Sequence, residues 1–115
     1  MNTDQKIALI DIGHPKHLDK FVKDKDEDVR AQIAREGADA HRDTLLKDKD
    51  ANVRRMVAHF GNDSHRDKLV HDPSQGVRVA VAGYGNKEQA TKLVEDKDKY
   101  VSSAAKRRLK QLEVK

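Results

Sequence analysis

Apolar residues recur along the chain at helical spacing. One set lies at positions i, i+3, i+4 and i+7, on a single face of an α-helix: Val53, Met56, Val57 and Phe60. Asp50 precedes this set and suits the N-cap, where a side-chain oxygen accepts a free backbone N–H. Gly61 follows it directly, where a helix often ends on a residue of positive φ. The pattern predicts a helix of about ten residues.

A shorter element follows the glycine. It spans roughly residues 64–71, carries Leu69 and Val70, and has room for only about two helical turns. The chain is therefore predicted to alternate a short helical turn with a longer helix.

This pattern repeats every 24 residues without a gap. The units are 21–44, 45–68, 69–92 and a capping unit 93–115, and residues 1–20 align as a partial first unit. The nearly uniform columns are Val29, Val53, Val77 and Val101; Asp24, Asp48, Asp72 and Asp96; Arg30, Arg54 and Arg78, followed by Ser102; and Gly13, Gly37, Gly61 and Gly85. Such self-similarity is typical of repeat architectures. We expect one all-α domain over 1–115, a solenoid of about four to five repeats.

Residues 69–82, LVHDPSQGVRVAVA, carry a more specific pattern. They resemble the leucine-rich repeat variant, a bacterial family of 24-residue units, and more broadly the HEAT-like α-solenoids. The likeness covers essentially the whole chain, although only Asp72-Pro73 keeps the Asp-Pro pair of that family. The resemblance implies a right-handed superhelix of alternating 3₁₀ and α-helices. The family's founding member holds an iron–sulfur centre on cysteines, and this chain has no cysteine, so that cofactor does not carry over.

The aspartate and arginine columns are interpreted as structural. Stacked helical layers lie roughly 8–10 Å apart. An arginine can bridge to carboxylates in its own or the next layer. An active site needs asymmetry, whereas this pair recurs in unit after unit, so we predict a ladder and no enzyme.

A histidine column invites a zinc hypothesis. It consists of His17, His41 and His65 and is continued by Gln89. Zinc ligands lie about 2.0–2.1 Å from one ion. Side chains from units a full layer apart could converge on one ion only with distortion. A role at the start of the short helices or in packing is favoured over a solvated face or a metal site. We expect no metal and no cofactor.

Composition and the length of apolar runs bear on where in the cell the protein is found. Apolar residues make up 36% of the chain and charged residues 38%, with no run near the roughly 20 apolar residues of a membrane span and no visible secretory signal. We expect a cytoplasmic protein.

The excess of positive charge lies at one end of the sequence. The chain has 24 basic and 20 acidic residues, and five of the basic residues and one of the acidic residues lie in 106–115. Residues 1–105 therefore hold 19 of each.

The basic tail has two interpretations. Lys106, Arg107 and Arg108 are expected to end the last helix, where cations complement the helix dipole and close the stack. The alternative is a patch for phosphate or acidic groups. No aromatic residue interleaves with the tail, so base stacking is not supported.

Variable columns on the longer helix indicate where a partner would bind. The face opposite Val53 and Val57 is predicted to hold one ridge, read unit by unit: Asp28, Ala31 and Arg35; Asn52, Arg55 and His59; Gly76, Val79 and Gly83; Tyr100, Ser103 and Arg107. The ridge is either an ordinary solvated face or a binding surface. The candidate partner-binding residues are Arg35, Arg55, His59, Val79, Tyr100 and Arg107.

We therefore expect a non-catalytic protein–protein interaction module, a small bacterial or phage-type adaptor or inhibitor, that binds another protein along this ridge. The alternative is a nucleic-acid-binding solenoid that contacts the backbone through Arg107, Arg108 and Lys110, with Arg35 and Arg55. Because the excess charge sits in the tail, such binding is expected to be weak and non-specific.

Overall fold

The chain is all-helical. The computed structural model describes residues 1–113 and has nine α-helices and no strand in that range. Four helices have ten residues: α1 (Thr3–Ile12), α3 (Glu27–Glu36), α5 (Ala51–Phe60) and α7 (Gln75–Tyr84). Four have seven: α2 (Pro15–Phe21), α4 (Asp39–Leu45), α6 (Asp63–Leu69) and α8 (Lys87–Leu93). The last, α9 (Lys99–Glu113), has 15.

The predicted alternation of a short element with a ten-residue helix is confirmed. The short elements are α-helices, however, so the 3₁₀ form implied by the resemblance is wrong. No described helix has both the length and the apolarity needed to cross a bilayer.

Aspartates start three of the long helices, α3, α5 and α9, as the sequence predicts. Asp26 accepts a hydrogen bond from the Asp28 N–H, and Asp50 accepts from the N–H groups of Asn52 and Val53. Asp98 plays the same part before α9. Ser74 occupies the N-cap of α7, but its side chain makes no cap hydrogen bond to any described residue.

The glycines end the long helices for a different reason from the one predicted. Gly37, Gly61 and Gly85 have φ between −75° and −79°, in extended backbone, and among the described residues only Gly13 has positive φ, at 78°. Space explains the column instead. A Cβ on Gly61 would lie 2.5 Å from the Val57 carbonyl oxygen and 2.6 Å from Nδ1 of His65.

That close approach allows the histidine column to cap the short helices. The Asn62 N–H donates to His65 Nδ1 at 3.0 Å, and the His65 N–H donates back to the Asn62 side chain. Because Nδ1 accepts, Nε2 carries the ring proton and donates to Asp43 of the preceding unit at 2.7 Å. His41 makes the equivalent contacts to the Ala38 N–H and Asp19. The predicted helix-start role is confirmed for both histidines.

Glutamine replaces histidine in the unit 69–92 without loss of this arrangement. Gln89 accepts from the Asn86 N–H through Oε1 and donates to Asp67 through Nε2 at 2.8 Å. The first unit departs from the pattern, since Nδ1 of His17 is buried without a hydrogen-bond partner among residues 1–113. It is also the unit whose glycine adopts positive φ.

The core follows the valine column. Val29, Val53, Val77 and Val101 are fully buried, as are the residues one turn later: Ile33, Val57, Val81 and Ala105. Consecutive long helices pack on one another, α1 on α3, α3 on α5, α5 on α7 and α7 on α9. The described chain measures 44 × 30 × 20 Å.

Paired aspartates and arginines join consecutive units. Arg54 donates through Nε and Nη2 to the Asp72 carboxylate at 2.8 and 3.2 Å, and through Nη1 to the Asp48 carbonyl oxygen at 2.6 Å. Arg30 binds Asp48 and Arg78 binds Asp96 in the same way. We call these three pairs, with Lys6–Asp24 before them, the Asp–Arg ladder. The predicted ladder is confirmed.

The ladder also fixes the loops between helices. Asp72 accepts from the Ser74 N–H at 2.8 Å while it binds Arg54, and Asp48 does the same for the Asp50 N–H. The Arg54 and Asp72 side chains are only 15% and 6% exposed. Each carboxylate therefore holds the start of its own long helix and the preceding unit together.

Substitution of Arg54 by alanine should destabilise the protein. The Asp72 carboxylate would stay largely buried with two hydrogen bonds fewer, which costs about 1–3 kcal/mol. Urea denaturation measures this loss, and Arg55→Ala is the neighbouring control because Arg55 lies outside the ladder. Equal midpoints for wild type and Arg54→Ala would show that the ladder does not contribute to stability.

Substitution by alanine should have opposite effects on stability at two of the glycines. Gly61→Ala forces a Cβ against the Val57 carbonyl and His65 and should destabilise by about 1–3 kcal/mol. Gly83→Ala, inside α7, meets no described atom within 4 Å and should stabilise by up to about 1 kcal/mol. Thermal melting of both variants measures these effects. A Gly61→Ala protein as stable as wild type would contradict the steric explanation.

Candidate functional site

A groove crosses the exposed face of the long helices. It lies over α7, between α5 and α9, and has a volume of about 580 Å³. We call it the basic groove. Its lining residues are Arg55, His59, Gly76, Val79, Ala80, Gly83, Tyr84, Ala104, Arg107, Arg108 and Gln111.

Small residues on α7 create this groove. Gly76, Val79 and Gly83 occupy the columns that hold Asn52, Arg55 and His59 on α5. A Cβ on Gly76 would meet Cδ of Arg55 at 3.9 Å, so the arginine stem lies over the first turn of α7. The unit at 69–92 thus keeps the buried columns of the repeat and lacks bulk on its exposed face.

Stacked rings form one wall of the basic groove. The His59 ring lies between Phe60 and Tyr84, with ring centroids 4.0 Å away on both sides and interplanar angles of 23° and 15°. Beyond Phe60, the Arg35 guanidinium lies 5.6 Å from that ring's centroid. Tyr84 is 47% exposed and offers its ring to the groove.

The groove has a positive charge that no described lining residue balances. Of the described residues that line it, three are arginines and none is acidic. Arg55 donates through Nε and Nη2 to the Asn52 side-chain oxygen at 3.1 and 2.6 Å, and Arg108 donates through Nε to the Gly85 carbonyl at 2.8 Å. These partners are neutral, so they orient the guanidinium groups without cancelling their charge.

Surrounding groups favour the neutral form of His59. Burial is the main cause that lowers its pKa below the ordinary value of 6.5, and the charges of Arg55, Arg35 and Arg66 lower it further. A neutral imidazole stacks between two rings without adding a cation to an arginine-rich wall.

The structure brings together four of the six predicted partner-binding residues. Arg55, His59, Val79 and Arg107 all line the basic groove. Arg35 lies outside it, at the far end of the ring stack. Tyr100 also lies outside; it is 61% exposed and has the Lys99 amine 5.4 Å from its ring centroid.

The residues predicted for nucleic acid divide in the same way. Arg107 and Arg108 line the basic groove, whereas Lys110 is exposed outside it. Lys115, also counted in the basic tail, lies outside the described residues.

One expectation about the tail is wrong. Lys106, Arg107 and Arg108 do not end the last helix, because Leu109 stands where other units have glycine and α9 continues to Glu113. The tail also has aromatic neighbours, since Tyr84 and His59 line the same groove as Arg107 and Arg108. The sequence reasoning missed them because they come from earlier units. The available signal was that Tyr84 and Arg108 share one repeat column.

A cluster of carboxylates lies elsewhere, at the start of α3. Ligand oxygens of Asp26, Glu27 and Asp28 lie within 4.8 Å of one another. Asp26 already accepts from the Thr3 hydroxyl and the Asp28 N–H, which lowers its pKa. Acidic groups at this position complement the helix dipole, so a structural role accounts for them.

Comparison with known proteins returns no match. No protein-family model, curated protein or solved structure matches this chain. The basic groove is therefore interpreted from its own chemistry.

Removing Arg55 should raise the pKa of His59. Arg55→Ala deletes a neighbouring positive charge that lowers the pKa of His59, so the imidazolium becomes more favourable. An NMR titration of the ring resonances measures the shift. Lys106→Ala removes the same charge from an exposed site outside the groove and should leave that pKa in place. An unchanged His59 pKa in Arg55→Ala would contradict the described geometry.

Proposed function

We propose that this chain is a non-catalytic protein-interaction module, a right-handed α-solenoid of 24-residue repeats that binds another protein across the long helices. The basic groove is the observation that carries the proposal. The resemblance of residues 69–82 to the leucine-rich repeat variant and HEAT-like solenoids supports the solenoid form.

Packing between units supports the solenoid part. Each long helix packs on the long helix of the next unit, and the Asp–Arg ladder joins units at the same two positions each time. In repeat proteins each unit contacts mainly its neighbours, and the stack presents an extended surface for binding.

The location of the groove supports the binding part. It lies on the face where repeat columns vary, and its volume is in the range of about 300–1,000 Å³ that ligand sites occupy. Its apolar floor and convergent arginines suit a partner's side chains. A small adaptor or inhibitor in a bacterial or phage cytoplasm fits a module of this size.

Nucleic acid is the second candidate, and one observation favours it. Tyr84 presents a half-exposed ring beside Arg107 and Arg108, and such pairs of stacking ring and cation bind single strands without sequence preference. The balanced charge of residues 1–105 opposes it, because it leaves no extended basic track for the backbone.

Filling the groove should weaken partner binding. Gly83→Leu places a side chain in open space, so the fold should be kept while the groove loses volume. Affinity for the partner recovered from lysate of the source organism should fall by at least about tenfold.

Two controls make the test specific. Gly83→Ala changes the same backbone position with little bulk, and Thr91→Leu adds a leucine to the exposed surface of α8, outside the groove. Both should bind like wild type in a pull-down followed by quantitative titration. Undiminished binding by a folded Gly83→Leu protein would place the contact elsewhere.

A further inference from the structure

We infer that the basic groove binds a peptide segment that carries carboxylate side chains, with Arg55, Arg107 and Arg108 as the cations that contact them. This rests on the proposed function and names the chemistry of the partner's contact.

The distribution of arginine partners carries the inference. The chain has nine arginines, and six of them have a carboxylate within 3.5 Å: Arg30, Arg35, Arg42, Arg54, Arg66 and Arg78. The other three, Arg55, Arg107 and Arg108, have none among residues 1–113, and all three line the basic groove. The protein thus pairs its arginines everywhere except here, and a carboxylate supplied by a partner would complete the pattern.

Two of these arginines are held in place before any ligand arrives. Asn52 holds Arg55 by two hydrogen bonds, and the Gly85 carbonyl holds Arg108 by one. A guanidinium that is already oriented loses less side-chain freedom on binding. Its remaining N–H groups are free to form the forked hydrogen bonds that carboxylates accept.

The floor of the groove favours a peptide over a nucleic-acid backbone. Val79, Ala80 and Ala104 give it an apolar base on which the carbon chains of acidic side chains can pack. The positive charge does not extend along the ridge beyond the groove, because Arg35 is paired with Glu36 and Asp28 adds a negative charge. A short acidic segment matches a positive site bounded in this way, whereas a nucleic-acid strand needs a longer track.

His59 supplies a signature of carboxylate binding. The groups that face it are cations and one phenol, on its own helix, on neighbouring helices and across the groove: Arg55, Arg35, Arg66, Tyr84, Arg107 and Arg108. A bound carboxylate would be the first negative charge beside the ring, so the pKa of His59 should rise on binding. By linkage, peptide affinity should then increase as the pH falls through the interval between the free and bound pKa values.

The experiment uses hexaglutamate with blocked ends as the probe and hexaglutamine as the neutral control of equal length. Calorimetry measures binding to wild type, Arg55→Gln, Arg107→Gln and Lys106→Gln at low and physiological salt. The first two variants should weaken hexaglutamate binding by about tenfold each, as expected for a lost hydrogen bond to a charged group. Lys106→Gln removes the same charge from the same helix as Arg107 but lies outside the groove, and should change binding less than twofold. NMR on the wild-type complex should show a raised His59 pKa.

Several results would overturn the inference. They are no hexaglutamate binding, equal losses in all three variants, an unmoved His59 pKa at saturation, or tighter binding of a single-stranded oligonucleotide lost in the same Arg variants. The last result would assign the groove to nucleic acid. If hexaglutamate does not bind while Gly83→Leu still weakens binding to a protein partner, the proposal of an interaction module is retained and only the inference of an acidic ligand is rejected.

Discussion

Pairing of arginine with aspartate between consecutive units is the interaction on which the rest of the structure depends. One carboxylate, such as Asp72, binds the arginine of the preceding unit and fixes the N–H of Ser74 ahead of its own long helix. Repetition of that contact sets the long helices side by side and buries the valine column between them. It also engages three of the nine arginines, so those three are not available to bind a partner.

The groove arises where one unit departs from its neighbours. Its buried columns stay regular, since Val77 and Val81 continue the core and Arg78 continues the Asp–Arg ladder. On the exposed face Gly76 and Gly83 replace larger residues, which leaves a groove between the arginines of α5 and α9. The regular columns build the stack, and the irregular ones give it a site with a charge of one sign.

Much of this could be predicted from a single sequence, because identical columns carry one physical role through every unit. The ladder, the long helices and the histidine caps follow from that regularity. Gly61 shows the limit: the sequence reveals its column, but glycine is needed there because the Val57 carbonyl and His65 lie too close for a Cβ, which only the three-dimensional structure reveals. Tyr84 was missed for the same reason, because its ring stacks on His59 of the preceding unit and lines the groove together with Arg108 of the following unit.

The central claim is that the arginines without a carboxylate partner form one binding site. Resolved Nε–Hε resonances of all nine arginines, followed by NMR during titration with hexaglutamate, test it most directly. The account predicts shifts confined to Arg55, Arg107 and Arg108, while Arg30, Arg54 and Arg78 of the ladder stay unmoved. Shifts spread over paired and unpaired arginines alike, or none at saturating peptide, would contradict it.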